Sequence, residues 1–195
     1  MKKYLILVLA IPLLTVACEK RKFEFAPMIN LEKTYMVDQT GAFNETATIS
    51  REDVLDLLDI PETAEIKDVY IESIAVKVII LENNAASAVL LSGKVQLGSS
   101  KPALFNDYPA PLVLVDDPWI GLNSLISEGV SGIKAKIEGY LEGSDTEPFD
   151  IELSGDSSPT SGNRIHVRIL LKITGTVKYF DCMEVPFFVE GGDPC

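Results

Sequence analysis

Ile165-His166-Val167-Arg168-Ile169-Leu170-Leu171-Lys172-Ile173-Thr174-Gly175-Thr176-Val177-Lys178-Tyr179 is the stretch that decides the fold. In a β-strand successive side chains point to opposite faces. Ile165, Val167, Ile169, Leu171 and Ile173 therefore share one face, against His166, Arg168, Leu170, Lys172 and Thr174. Gly175 is a candidate bulge, after which Val177 and Tyr179 keep the phase. One apolar face and one mostly polar face describe a strand of an antiparallel sheet that covers a core on one side only.

The same period recurs on either side. Leu91, Gly93, Val95 and Leu97 alternate with Ser92, Lys94 and Gln96. Phe149, Ile151 and Leu153 alternate with Asp150, Glu152 and Ser154, and Ile133 to Leu141 reads the same way. Between Ile66 and Leu81 the pattern changes phase. Val69 and Ile71 set one register, and Ile74, Val76, Val78 and Ile80 the other. A bulge at Glu72-Ser73 would return all of them to one buried face. The expectation is an antiparallel β-sandwich, immunoglobulin-like or jelly-roll-like, with two short helices at strand connections.

The helices are expected at Arg51 to Leu58, capped by Ser50 with Asp53 at the third position, and at Trp119 to Ile126, opened by Asp117-Pro118. Loops are expected at 83–87, 99–111, 143–148 and 155–163.

The chain has 195 residues and a net charge of −12, from 17 Lys and Arg against 29 Asp and Glu. That length fits one domain. The acidic balance excludes a nucleic-acid surface, which needs a basic face. At 47% hydrophobic and 24% charged the composition is globular.

The N-terminus reads as an address. Met1-Lys2-Lys3 is positive, Tyr4 to Leu14 is apolar and too short to span a bilayer, and Thr15-Val16-Ala17 ends in a small residue before Cys18. Glu19-Lys20-Arg21-Lys22 then stops the run. Leu14-Thr15-Val16-Ala17-Cys18 resembles the lipobox of bacterial lipoproteins, with Thr15 departing from the usual Leu. The resemblance implies lipid on Cys18, after removal of a signal helix over 1–17. Plain cleavage after Ala17 is the rival reading. Residues 18–29 then form the anchor and tether, and 30–195 a single β-sandwich domain. Together with the opening strand near Leu31 to Val37 and the capped helix before Ile66-Lys67-Asp68-Val69-Tyr70-Ile71-Glu72-Ser73, the chain resembles uncharacterised β-rich lipoproteins of Bacteroidota-like bacteria. That family implies a place in the cell envelope, with the outer membrane favoured by Glu19 after the Cys, and no known activity.

With Cys18 lipidated, Cys182 and Cys195 remain, thirteen positions apart. A bond between them would pin the C-terminal tail to the last strand; free thiols or an intermolecular pair are the alternatives.

Residue types that carry chemistry are sparse. His166 is the only histidine and falls on the polar face of its strand. No G-x-S-x-G elbow or phosphate loop is present. No metal site and no cofactor are expected, since zinc needs His and Cys clusters. Gly143-Ser144-Asp145-Thr146-Glu147 is the best stretch for calcium, without EF-hand spacing. Glu62 with Glu65, Asp116 with Asp117, and Asp145 with Glu147 and Asp150 are the carboxylate groups a hydrolase would use. Phe105 and Tyr108, among Pro102, Pro109 and Pro111, read as a contact loop for a sugar or protein, or as rings folded over a sandwich edge. The functional expectation is a membrane-anchored binding or scaffolding module with an envelope protein or glycan as partner. A carrier of an apolar ligand between the sheets and a hydrolase using acidic loop residues are the alternatives.

Overall fold

The structure is a computed structural model that describes residues 18–112, 118–186 and 191–195. The expected signal helix over 1–17 and the Asp117 cap lie outside the described residues.

Strand β9 (Arg164–Pro186) is the axis of the larger sheet. Its apolar face is buried as the alternation requires: Ile165, Val167, Ile169, Leu171, Ile173, Val177 and Tyr179 all lie in the core. Each such side chain contributes roughly 1.5–3 kcal/mol of transfer free energy when fully buried, which overrides weak local preferences. Along one edge β9 pairs with β1 (Cys18–Phe25) and then β2 (Met28–Thr40), both antiparallel. Along the other it pairs with β4 (Glu65–Ile80). Strands β7 (Ile120–Gly121) and β10 (Asp193–Pro194) add short pairings to β4 and β1.

The smaller sheet holds β3 (Phe43–Ile49), β8 (Phe149–Ser158), β5 (Ala88–Gln96) and β6 (Ala103–Pro111), in that order. With β2, β9, β4 and β7 side by side in one sheet and β3, β8, β5 and β6 in the other, the chain from β2 to β9 crosses between sheets at every connection except the β5–β6 hairpin, which is the pattern of a jelly roll. Of the two expected sandwich types, the connectivity selects this one.

The phase change in β4 is a bulge at the expected place. Its register against β9 shifts between Ile71 and Ser73, and again between Ile66 and Asp68. Glu72 and Lys67 are the extra residues, and Ile66, Val69, Ile71, Ile74, Val76 and Val78 all pack on the core side. Gly175 keeps its register in β9; the irregularity belongs to its partner strand.

Helix α1 (Arg51–Leu55) is shorter than expected but capped as read. Ser50 Oγ accepts from the Asp53 amide at 3.2 Å, and the Asp53 carboxylate accepts from the Ser50 amide at 2.8 Å.

Four expectations are corrected. First, Ile133 to Leu141 is not a strand but the body of α2 (Ser127–Glu142). Gly129, Ile133, Ile137 and Tyr140 form its buried stripe at helical spacing, while Ala135 is exposed. Ile133 and Ile137 satisfy both periods, so alternation alone could not separate them. Second, the segment 119–126 is not a helix: it holds β7, then irregular backbone leading to Ile126, the residue before α2. Third, the loops 99–111 and 155–163 are shorter, because β6 occupies much of the first and β8 runs to Ser158 in the second. Fourth, the tether over Glu19 to Met28 is strand β1 and the start of β2. Its charged side chains are compatible with a strand whose pairing comes from β9.

Candidate functional site

Beyond Tyr179, β9 continues past the packed core and carries β1 with it. Register pairs run from Phe25 opposite Tyr179 to Cys18 opposite Pro186. At the root of this ribbon the Phe25 and Tyr179 rings stack with centroids 5.2 Å apart. On the far edge of β1, β10 pairs with Arg21 and Lys22, and the Cys195 amide donates to the Lys20 carbonyl at 3.4 Å. Cys182 and Cys195 are joined by a disulfide, with Cα atoms 6.2 Å apart. The expected covalent link between the tail and the last strand is thus present, and Cys18 is the one cysteine of three outside it.

Two of the three cations after Cys18, Arg21 and Lys22, are engaged within the protein. Arg21 donates to the Glu19 carboxylate at 3.2 Å and to the Gly191 carbonyl at 2.9 Å. Lys22 pairs with Glu65, and Lys20 lies opposite Glu184 in the register. Lys22 and Lys67 also stand 4.7 and 4.8 Å from the centroid of the Phe180 ring. Further along the same outer face, Lys178 and Lys134 flank Tyr70, and Lys172 lies 4.3 Å from the Trp119 ring. Sequence reading missed these aromatic–lysine groups, because only the β4/β9 register and the placement of α2 bring them together.

Phe105 and Tyr108 are strand residues of β6, not loop residues. Phe105 is 1% exposed and packs against Gly93, where a Cβ would collide with its ring. It is therefore core, and only the half-buried Tyr108 is left of the expected contact surface. Pro109 and Pro111 are tolerated because β6 is an edge strand, which leaves one side of its backbone unpaired.

His166 lies on the outer face of β9, opposite Asp38. Its Nε2 is 4.0 Å from the Asp38 carboxylate, and its ring Nδ1 contacts the Glu82 carbonyl. Asp38 accepts two bonds from the Arg164 guanidinium, at 3.1 and 2.9 Å, which hold its carboxyl below the usual range. This is a cross-strand ion group at the end of the sandwich opposite Cys18.

Of the carboxylates a hydrolase would use, Asp145, Asp150 and Glu65 are each engaged by a different partner. Asp145 is held by Lys136 at 2.8 Å and by the Glu147 amide at 2.9 Å, so the Gly143 to Glu147 stretch uses its central carboxylate to close its own turn. Asp150 accepts from Thr48, and Glu65 pairs with Lys22. Asp116 and Asp117 lie outside the described residues. Among the described residues no group of three or more His, Cys, Asp or Glu could hold a metal ion.

A pocket of about 340 Å³ opens at the helix end, lined by Leu55, Leu58, Ile60, Ile66 and Leu141 together with the charged Arg51 and Glu62. It lies beside the helices rather than between the two sheets, where the alternative reading of an apolar-ligand carrier would place its ligand.

The class these features define is a jelly-roll β-sandwich with a disulfide-bonded ribbon at one end. No protein-family model matches the chain, and no curated protein matches it. Among solved structures, the 60-mer BFDV capsid protein is similar at 10% identity and a TM-score of 0.32, over 87% of this chain and 98% of that one. The T=1 particle protein derived from infectious bursal virus is similar at 12% identity and a TM-score of 0.34, over 84% of this chain and 41% of that one. The chain thus spans less than half of the second protein. These likenesses concern fold alone; the strand order carries the jelly-roll assignment.

Proposed function

We propose that the chain is a lipid-anchored cell-envelope protein of the kind found in Bacteroidota-like bacteria, and that its jelly-roll body binds or scaffolds an envelope protein or glycan. One coincidence carries the reading. Cys18 is both the cysteine that follows Leu14-Thr15-Val16-Ala17 and the outermost residue of β1, across from Pro186. Position 18 is seven residues along β1 from Phe25, which packs against the core with Tyr179. The Cys182–Cys195 bond supports export to an oxidising compartment and leaves Cys18 for acylation. Because Lys22 and Arg21 are paired with carboxylates, the acyl chains, rather than basic side chains, provide the hold on the membrane.

The test is the intact mass of the protein taken from native membranes, with and without reduction. The expected mass starts at Cys18, carries acyl groups, and rises by two hydrogens on reduction. An unmodified chain starting at Cys18 or Glu19 would sink the anchor. Mild crosslinking in whole cells tests the binding role; recovery of the protein alone would count against it.

A further inference from the structure

The ribbon occupies the place where sequence alone suggests a slack tether, and four features stiffen it. Register pairs with β9 are continuous from Phe25 to Cys18. A third strand, β10, covers the free edge of β1 at Arg21 and Lys22. The Cys182–Cys195 bond ties that third strand back to β9, across β1. At the root, Phe25 stacks on Tyr179, Lys22 reaches Glu65 of β4, and the Val177 amide donates to the Pro27 carbonyl at 3.0 Å. A two-stranded ribbon alone is marginal in water, and a third strand with a covalent link supplies what it lacks.

The jelly-roll connectivity adds direction. The ribbon leaves the sandwich where β4 begins, the end at which Ile66 shares a pocket with Arg51 and Leu55 of α1 and Leu141 of α2. The connections at 41–42, 81–87 and 159–163 gather at the opposite end, where the Gly41 amide bonds to the Asn163 carbonyl and the Ala85 amide to the Arg164 carbonyl.

We propose that β1, the end of β9 and β10 form a disulfide-stapled stalk, which holds the body at a set distance and orientation from the membrane and turns the 41–42, 81–87 and 159–163 loops away from it. At about 3.3 Å per residue, the stalk places Cys18 roughly 23 Å from its root at Phe25. The orientation part rests on the lipid-anchor reading; the stalk itself does not.

Limited trypsin digestion of the oxidised mature chain tests the stalk, since Lys20, Arg21 and Lys22 are its cleavage sites. Cleavage follows the population of the opened ribbon. The expected rate at these residues is at least tenfold lower before reduction of the disulfide than after it. Equal rates before and after reduction would overturn the stapled stalk. Orientation is read on the membrane-purified protein in phosphatidylcholine vesicles bearing a dansyl headgroup lipid. Trp119, the only tryptophan, is the donor. Weak transfer is expected from an upright body; transfer as strong as that of a variant with a Gly-Ser linker between Cys18 and Glu19 would overturn the orientation. The mass of Cys18 is determined on the same sample, so loss of the anchor reading is told apart from loss of the stalk.

Discussion

Gly175 of β9 lies so close to Tyr70 of β4 that a Cβ placed on it would stand 2.5 Å from the Tyr70 carbonyl oxygen. The contact sits beside the Glu72 bulge, where the register of β4 against β9 shifts by one residue. The bulge lets the apolar residues on both sides of Glu72 face one core, and the missing side chain at position 175 leaves room for it. Gly175→Ala should therefore force the two strands apart and lower stability by about 1–3 kcal/mol, the range for overpacking. Gly121→Ala, where a Cβ meets nothing within 4 Å, serves as the control. Urea unfolding of the two variants decides the matter; equal midpoints would refute the crowding at Gly175.

Phe105 and Tyr108 separate packing from contact. Phe105→Ala removes a buried ring and should cost about 3–5 kcal/mol. Tyr108→Ala removes a half-buried one and should cost clearly less. Because Phe105→Ala risks unfolding, Phe105→Leu is the milder check, with a smaller loss in the same direction. Thermal denaturation orders the three, and a Phe105→Leu protein as stable as the parent would remove Phe105 from the core.

Tyr140 joins α2 to the strands around it. Its hydroxyl donates toward the Glu147 carbonyl at 2.7 Å and lies 3.3 Å from the Ile49 carbonyl. Burial, aided by Asp145 and other nearby carboxylates, pushes its pKa up to about 12. A folded value above the ordinary 10.0 means the native state keeps its proton longer than the unfolded chain. The associated stability is intact below pH 10.0 and is lost as pH rises toward 12. Tyr140→Phe should cost about 0.5–1.5 kcal/mol at neutral pH and flatten the alkaline loss. Denaturant titrations at pH 8 and pH 11 measure both, and an unchanged alkaline slope would show that another group controls it.

The acid side runs the other way. Hydrogen bonds from Arg164 to Asp38, Lys134 to Asp68 and Lys136 to Asp145 hold these carboxyls below 3.8. The folded state releases these protons at lower pH than the unfolded chain does. Stability from the three pairs is present above pH 3.8 and declines as pH falls through the folded values. Asp38→Asn should weaken that decline without altering the neutral fold. Acid titration followed by circular dichroism, with salt added to screen exposed pairs, shows whether it does.

Legibility followed from how a segment meets the core. The strands β5, β8 and β9 were readable because each buries one face, so alternation is written into residues such as Ile151, Leu153 and Val167. The Glu72 bulge was readable for the same reason, as a break in a pattern that burial enforces. Ser50 announced α1 because a cap is a local interaction. Helix α2 was hidden because Ile133 and Ile137 fit strand and helix equally. Its buried Tyr140 and exposed Ala135 are set by packing against α1, β4 and β6. Strand β6 was hidden by its prolines, which only an edge position accommodates.

Taken alone, the sequence determined an antiparallel sandwich, the identity of most of its core, the capped helix and two cysteines in reach of each other. These depend on side-chain period and on contacts between near neighbours, both of which a linear pattern records. Tertiary structure alone decided the jelly-roll strand order, the conversion of 18–25 from tether to strand, and the burial of Phe105. The physical reason is that a charged or proline-rich segment carries no period of its own. Its conformation comes from backbone partners far away in the chain, such as Pro186 for Cys18 and Gly93 for Phe105.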